Sequence, residues 1–251
     1  MAYLAIAAAG FGAMWWRGRS RPDRMRAALQ SAFDGDAEVA LHLANHEARQ
    51  LGHGVTSLHI LYGLVQDDTI ASAIREAGHD VGALEDRVLE AISNLLDSPE
   101  LWDEGQQVLH YAAIASSHAG RRGGCVDLWA YLAHTQAATL LQANGVERAS
   151  VLFRLVHKTS DPSLVVDNER ADVHVVLRND DFTTVEFVCE ILRDVFGMPE
   201  GEAETAMSKT HHEGRAVVGR FAIAEARSRV LAVRDRAREA GYPLWIGIEP
   251  T

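Results

Sequence analysis

A helical pattern occurs twice in this sequence, and the duplication constrains the fold more than any other feature. Residues 38–92 contain four amphipathic segments separated by glycines and short polar turns, and residues 103–156 repeat that order. The copies share short segments at corresponding places, GVTSL at 54–58 with GCVDL at 124–128 and IREAG at 74–78 with LQANG at 141–145. Repeated helices of this kind bury their apolar faces against each other. The pattern therefore predicts one all-α domain built from two four-helix units.

The spacing of apolar residues predicts which face of the first helix is buried. We assign this face to five residues, Val39, Leu43, Ala44, Ala48 and Leu51. Gly52 and Gly54 then end the helix.

The periodicity changes after residue 171, which indicates a second domain. VHVVLR is typical of a strand, and TTVEFVCEILRDVF, which follows, is typical of a helix. Thr183 and Glu186 fit a capping box at the start of this helix. A helix ending at Gly214, a strand, a long amphipathic helix and a last strand complete the order β-α-α-β-α-β. This order predicts an α+β domain in which helices pack on a small antiparallel sheet. The predicted boundaries are 1–26 for an anchor and basic flank, 27–157 for the all-α domain, 158–171 for a linker and 172–251 for the α+β domain.

Composition excludes several classes of function. The net charge of -11 argues against nucleic-acid binding, which requires a basic face. The only two cysteines, Cys125 and Cys189, are far apart, which suits a reducing compartment. No phosphate-binding loop is present. His42 and His46 lie four residues apart on a helix, but helix-surface histidines explain them better than a metal, so we predict no metal site and no cofactor.

The N-terminal segment is apolar and ends at a basic cluster. Residues 2–16 carry no charge and end in Trp15 and Trp16, after which five arginines follow within ten residues. Paired tryptophans beside arginines are typical of a membrane interface, although a spanning helix needs about 17–25 apolar residues. We interpret residues 2–16 as a membrane anchor, with the rest of the chain on the cytoplasmic side of the inner membrane. The alternatives are an ordinary buried helix and a misassigned start codon.

Three acceptor-rich residues, Asn179, Asp180 and Asp181, separate the first strand from the next helix. Asn and Asp favour turns, so turn chemistry is one explanation. The other explanation is that a cation binds there. Residue types alone leave both open.

Three stretches resemble the ClpS family of N-degron adaptors: LRNDDFTTVEFV, AMSKTHHEGRAVVGRF and AREAGYPLWIGIE. The resemblance covers residues 172 to 250, nearly the whole family core. The duplicated helices, over residues 37 to 157, resemble the Clp N-terminal domain that precedes the ATPase modules of the unfoldases ClpA and ClpC. Those ATPase modules are absent from this sequence.

The ClpS resemblance implies a site for a protein's free α-amino group and first side chain. It assigns the α-amino group to Asn179, Asp180 and His211, whose oxygen and ring-nitrogen acceptors suit an ammonium ion. It assigns an apolar pocket to seven residues, Leu177, Thr183, Val185, Val188, Met207, Thr210 and Leu244. Val185 stands where the family often has Met, and Thr210 replaces an aliphatic residue. On the surface that would face an unfoldase, Ala224 replaces an acidic residue and Arg229 replaces Lys.

The resemblance implies a non-enzymatic adaptor that binds destabilising N-terminal residues and presents the bound protein to a Clp AAA+ unfoldase of the ClpA or ClpC type with ClpP. The expected cargo carries an N-terminal Leu, Phe, Tyr or Trp. One alternative is a decoy that sequesters such proteins, or Clp components, at the membrane without delivering them. Another is an enzyme that uses His211, His212 and Glu213 as acid–base groups, but no nucleophile, metal or phosphate loop accompanies them.

Overall fold

The computed structural model describes residues 32–96, 98–165 and 172–251, and the chain divides into two compact units between Val146 and Glu147. The described part of the N-terminal unit is helical. Its helices are α1 (Gly35–Leu51), α2 (Ser57–Val65), α3 (Asp68–Glu76), α4 (Val81–Ser93), α5 (Pro99–His118), α6 (Cys125–Ala130) and α7 (Gln136–Ala143). The helical class predicted for this part of the chain is confirmed.

Helix α1 is buried through four alanines and Leu41, whereas Val39 and Leu51 are exposed. The prediction that Val39 and Leu51 belong to the buried face is wrong, because they are 60% and 43% exposed. The buried stripe is Ala37, Ala40, Leu41, Ala44 and Ala48. The reason is a close crossing with α2, since a Cβ built on Gly63 would lie 2.0 Å from the Ala40 carbonyl oxygen. Only small side chains allow two helices to approach this closely.

Helix α2 is buried on nearly all sides and forms the centre of this unit. Its residues Leu58, Leu61 and Leu64 are at most 4% exposed. The buried Ser57 hydroxyl donates a hydrogen bond of 2.7 Å to Glu104 of α5 and accepts one of 3.2 Å from the Ala137 amide of α7. These bonds satisfy polar groups that would otherwise be costly to bury, and they link three helices.

The described part of the C-terminal unit, residues 147–165 and 172–251, contains four helices and three strands. In chain order they are α8 (Arg148–His157), β1 (Asp172–Arg178), α9 (Val185–Asp194), α10 (Glu200–Glu213), β2 (Arg215–Ala222), α11 (Ile223–Glu239) and β3 (Trp245–Pro250). The strands form an antiparallel sheet in the order β2-β1-β3. From residue 172 onward the predicted order β-α-α-β-α-β and the small antiparallel sheet are confirmed.

The two faces of this sheet carry different helices. Because side chains alternate along a strand, Val173, Val175 and Leu177 of β1 share one face. They form one core with residues of α9, α10 and α11. The α11 residues of this core are Ile223, Ala226, Val230, Val233 and Ala237. A second, smaller cluster contains Val176 of β1, Trp245 of β3 and Phe153 of α8. Helix α8, which the repeat pattern assigns to the all-α domain, therefore packs within the C-terminal unit.

The segment that follows α8, predicted to be a linker, is bound to α11 over residues 161–164. The buried Arg234 donates 2.8 Å and 2.9 Å hydrogen bonds to the carbonyls of Pro162 and Ile246, and Arg227 donates one of 2.8 Å to the Leu164 carbonyl. Arg238 pairs with Asp161. Residues 166–171 of the predicted linker lie outside the described residues. The four predicted domain boundaries remain predictions.

The predicted membrane placement requires correction. Within residues 32–96, 98–165 and 172–251, no helix is both long enough and apolar enough to cross a membrane, and residues 2–16 lie outside these ranges. We therefore withdraw the predicted anchor and the location at the inner membrane.

Candidate functional site

The C-terminal end of β1, the central strand of the sheet, meets the end of α10. The Asn179 amide, just after β1, donates a 2.9 Å hydrogen bond to the carbonyl of Gly214, the residue that ends α10. His211 lies in the last turn of α10. The backbone segments that carry Asn179 and His211 therefore lie next to each other. The assignment of Asn179, Asp180 and His211 to an α-amino group stays a prediction.

Asp180 organises the turn between β1 and α9. Its Oδ1 accepts hydrogen bonds from the amides of Phe182 (2.8 Å) and Thr183 (2.7 Å), and its Oδ2 accepts one from the Thr183 hydroxyl (2.8 Å). A carboxylate has about four acceptor positions, so one position and the full negative charge remain for a ligand. Turn chemistry and cation binding are therefore compatible explanations of this residue.

The capping box predicted from Thr183 and Glu186 is wrong by one residue. Thr184 caps α9, because its hydroxyl accepts a 3.3 Å hydrogen bond from the Phe187 amide. Thr183 is engaged by Asp180 instead. A threonine pair leaves this choice open in the sequence, and the Asp180 turn decides it.

Among the described residues, none forms a hydrogen bond with the Asn179 side chain or with the His211 ring. Asn179 is half-buried, whereas His211 is exposed and meets the His212 ring edge-on at 5.3 Å. A half-buried amide oxygen and an exposed imidazole both suit an ammonium group that arrives from solvent.

The predicted pocket residues divide into three groups. Leu177, Val188 and Leu244 belong to one buried core, and the half-buried Met207 packs against it. Thr210 is also buried and donates its hydroxyl to the Ala206 carbonyl at 2.8 Å, so its polar group is satisfied. The half-buried Thr183 supports Asp180, and Val185 is 49% exposed at the start of α9. Val185 therefore borders the surface rather than the core.

A cavity of about 200 Å³ lies in the C-terminal unit between α8, residues 160–161 and the end of α11. Of the predicted pocket residues, only Leu244 borders it. Tyr242 also lines it, and the Tyr242 ring packs on Phe187 at 4.8 Å.

Sequence reasoning missed two residues beside the site, Tyr242 and His157. The Thr184 hydroxyl donates to the Tyr242 hydroxyl at 3.4 Å, which places Tyr242 at the first turn of α9. Burial lowers the pKa of His157, although its hydrogen bond to Pro243 and the nearby Asp180 carboxylate raise it. Tyr242 stands directly before the Pro-Leu pair that carries the resemblance, whereas nothing in the sequence pattern connects His157 to the site.

Comparison with known proteins identifies both parts of the chain. Residues 168–247 match the family model for the ATP-dependent Clp protease adaptor protein ClpS, and residues 32–122 match the Clp repeat N-terminal domain. An ATP-dependent Clp protease adapter protein ClpS of Vibrio cholerae serotype O1 is 42% identical over 76 residues, 30% of this chain and 72% of the relative. The chain belongs to the ClpS family. A Wolinella succinogenes ClpS is 41% identical over 70 residues, 28% of this chain and 69% of the relative.

A solved structure of Agrobacterium tumefaciens ClpS2 bound to L-phenylalaninamide is 36% identical and matches 32% of this chain and 98% of that one, with a TM-score of 0.32.

The ClpS match and the compact unit begin at different residues. The match starts at residue 168, whereas the unit starts at Glu147. Helix α8 therefore packs in the same unit as the ClpS segment while lying outside the part that the family model covers.

The two residues predicted to dock an unfoldase have different surroundings. Ala224 is exposed on α11. Arg229 pairs with Glu225 at 2.7 Å, donates to the Val195 carbonyl that ends α9 and lies 5.0 Å from the Phe221 ring centre. Arg229 thus joins α11 to α9 within the unit. These contacts leave fewer of its N–H donors for a partner protein.

Proposed function

We propose that this ClpS-family protein is a non-enzymatic adaptor that binds proteins through destabilising N-terminal residues and presents them to a Clp AAA+ unfoldase with ClpP. Family membership supports the adaptor role. The observation that supports the ligand class is the backbone hydrogen bond from Asn179 to Gly214, which joins the turn of Asn179 and Asp180 to the helix end that carries His211. The same unit contains the apolar core of Leu177, Val188 and Leu244, with Met207 packed against it.

An α-ammonium group has three N–H donors and one positive charge, which these acceptors match. A hydrogen bond to a charged group contributes about 1.5–3 kcal/mol. Burial of a Leu or Phe side chain adds about 1.5–3 kcal/mol. Together these terms are compatible with micromolar binding, about -8 kcal/mol. An acetylated N-terminus lacks the charge and two of the donors, so the site should reject it.

The test is fluorescence anisotropy with the full chain and peptides that begin with Leu, Phe, Trp, Tyr, Ile or Met, each with an N-acetylated control. Saturable binding of the free-amine Leu and aromatic peptides, without binding of the acetylated ones, supports the proposal. Equal binding of both forms, or of neither, contradicts it.

A second candidate is a decoy that binds N-degrons or Clp components without delivering them. The intramolecular contacts of Arg229 favour it, because this predicted docking residue is already engaged. Degradation of a reporter with an N-terminal Phe by ClpA or ClpC with ClpP separates the two. An adaptor accelerates degradation when added at equimolar amounts, whereas a decoy slows it and competes with a delivering ClpS.

A further inference from the structure

Helix α8 holds the loop that leads into β3 at two carbonyl groups. Arg148, in its first turn, donates a 2.9 Å hydrogen bond to the Gly241 carbonyl. His157, in its last turn, makes a 2.7 Å hydrogen bond with the Pro243 carbonyl. A carbonyl only accepts, so the His157 Nε2 carries the proton. We call these two contacts the α8 clasp.

The clasped loop carries two residues next to the candidate site. Tyr242 lies between the two held carbonyls, packs on Phe187 and accepts from the Thr184 hydroxyl at the start of α9. Leu244 directly follows Pro243 and is buried in the same core as Leu177. The position of the loop therefore determines the position of a predicted pocket residue.

The fit between α8 and the loop is close. Gly241 has a φ of 77°, and a Cβ at this position would lie 2.3 Å from the Arg148 Nη2 atom. A side chain on residue 241 would therefore displace Arg148 as well as strain the backbone.

Apolar contacts seat α8 independently of the clasp. Phe153 packs with Val176 and Trp245 on the sheet face opposite Leu177, and its ring lies 4.7 Å from the His157 ring. Replacing His157 alone should therefore leave α8 on the sheet and remove only a hydrogen bond to the loop.

We propose that the α8 clasp is a positioning device for the N-degron pocket, in which His157 holds Pro243 and so fixes Leu244 and Tyr242 beside the bound side chain. This inference rests on the proposed function. It extends the site beyond the segment that the ClpS family model covers, since α8 precedes residue 168.

The test compares two variants of the full chain. His157→Leu keeps apolar bulk against Phe153 but has no donor, whereas His157→Gln keeps a donor for the Pro243 carbonyl. His174→Ala is a control, because His174 lies about 13 Å along β1 from Arg178, the last residue before the turn, and on the sheet face opposite Leu177. Anisotropy with a free-amine Phe peptide gives the affinity, and hydrogen exchange of residues 241–247 reports the loop.

We expect His157→Leu to bind the Phe peptide at least fivefold more weakly and to exchange faster over residues 241–247. His157→Gln should bind within twofold of wild type, and so should His174→Ala. The inference is overturned if His157→Leu binds like wild type, or if a folded His157→Gln binds as weakly as the Leu variant. Failure of wild type itself to bind any free-amine peptide overturns the proposed function and this inference together. If His157→Leu does not fold, Arg148→Lys, which retains a charged donor, is compared with Arg148→Met by the same two measurements and the same criteria.

Discussion

Replacing Asp180 with asparagine separates the two roles of this residue. In the folded protein, the Asp180 Oδ1 atom accepts hydrogen bonds from the amides of Phe182 (2.8 Å) and Thr183 (2.7 Å). Asparagine has the same size and keeps an Oδ1 atom that can accept both. The Thr183 hydroxyl loses Oδ2 as an acceptor, and it can rotate toward water. Asp180→Asn therefore preserves most of the turn and removes the negative charge that an ammonium ligand requires.

The expected loss of affinity follows from that single charged contact. A hydrogen bond to a charged group contributes about 1.5–3 kcal/mol, and each 1.4 kcal/mol is a factor of ten. Asp180→Asn should therefore weaken binding of a free-amine Phe peptide by about tenfold to a hundredfold. Asp180→Ala should weaken it at least as much and also destabilise the C-terminal unit by about 2–3 kcal/mol, because three turn hydrogen bonds disappear at about 1 kcal/mol each.

Anisotropy titrations give the affinity, and urea unfolding gives the stability. Asp181→Asn is the matched control, since it makes the same charge change at the exposed neighbouring residue. It should change the affinity by less than threefold. Unchanged affinity in Asp180→Asn would refute the ammonium site. An equal loss in both variants would show that the overall negative field, rather than a contact with Asp180, attracts the peptide.

Three further predictions concern other parts of the chain. Burial, followed by the charge on His53, lowers the pKa of His59 to about 4. The folded state therefore resists protonation, and the opening free energy of α2 amides, measured by hydrogen exchange, should fall by about 3 kcal/mol from pH 6.5 to pH 4, a dependence that His59→Gln removes. Gly63→Ala should lower the free energy of unfolding of the N-terminal unit, measured in urea, by at least about 1–3 kcal/mol. Gly35→Ala should leave it unchanged, because nothing lies within 4 Å of the added Cβ. Val185→Met should reduce binding of Ile peptides relative to Phe peptides, because a longer side chain narrows the pocket opening; equal effects on both peptides would contradict this.

The sequence predicts the elements of the C-terminal unit well because local signals agree there. The inward face of α11 follows from a 3.6-residue period, and Gly214 ends α10 in the left-handed conformation that glycine favours. The buried face of α1 could not be predicted in the same way. It depends on how closely α2 approaches at Gly63, which is a property of the pair and not of either helix.

The site residues show the same limit. Three consecutive acceptors predict that β1 ends before Asn179. They do not predict that Asp180 uses three of its acceptor positions within its own turn. The packing of α8 on the sheet is still harder to predict from the sequence. Val151, Leu152 and Leu155 are buried as their spacing predicts, yet the contact that places the helix on the sheet is Phe153 with Trp245, more than ninety residues later.

The hydrogen bonds that hold Asp180 should matter for affinity although they touch no ligand. A side chain that becomes ordered only on binding costs about 0.5–1.5 kcal/mol, which offsets a large part of one charged hydrogen bond. Asp180 is already held by two amides and by the Thr183 hydroxyl, so its carboxylate is fixed before a ligand arrives. Under the proposed function, Thr183, predicted as a pocket residue, thus acts on the ligand through Asp180. The turn explanation and the ligand explanation of this segment then describe one arrangement, in which the turn prepares the acceptor.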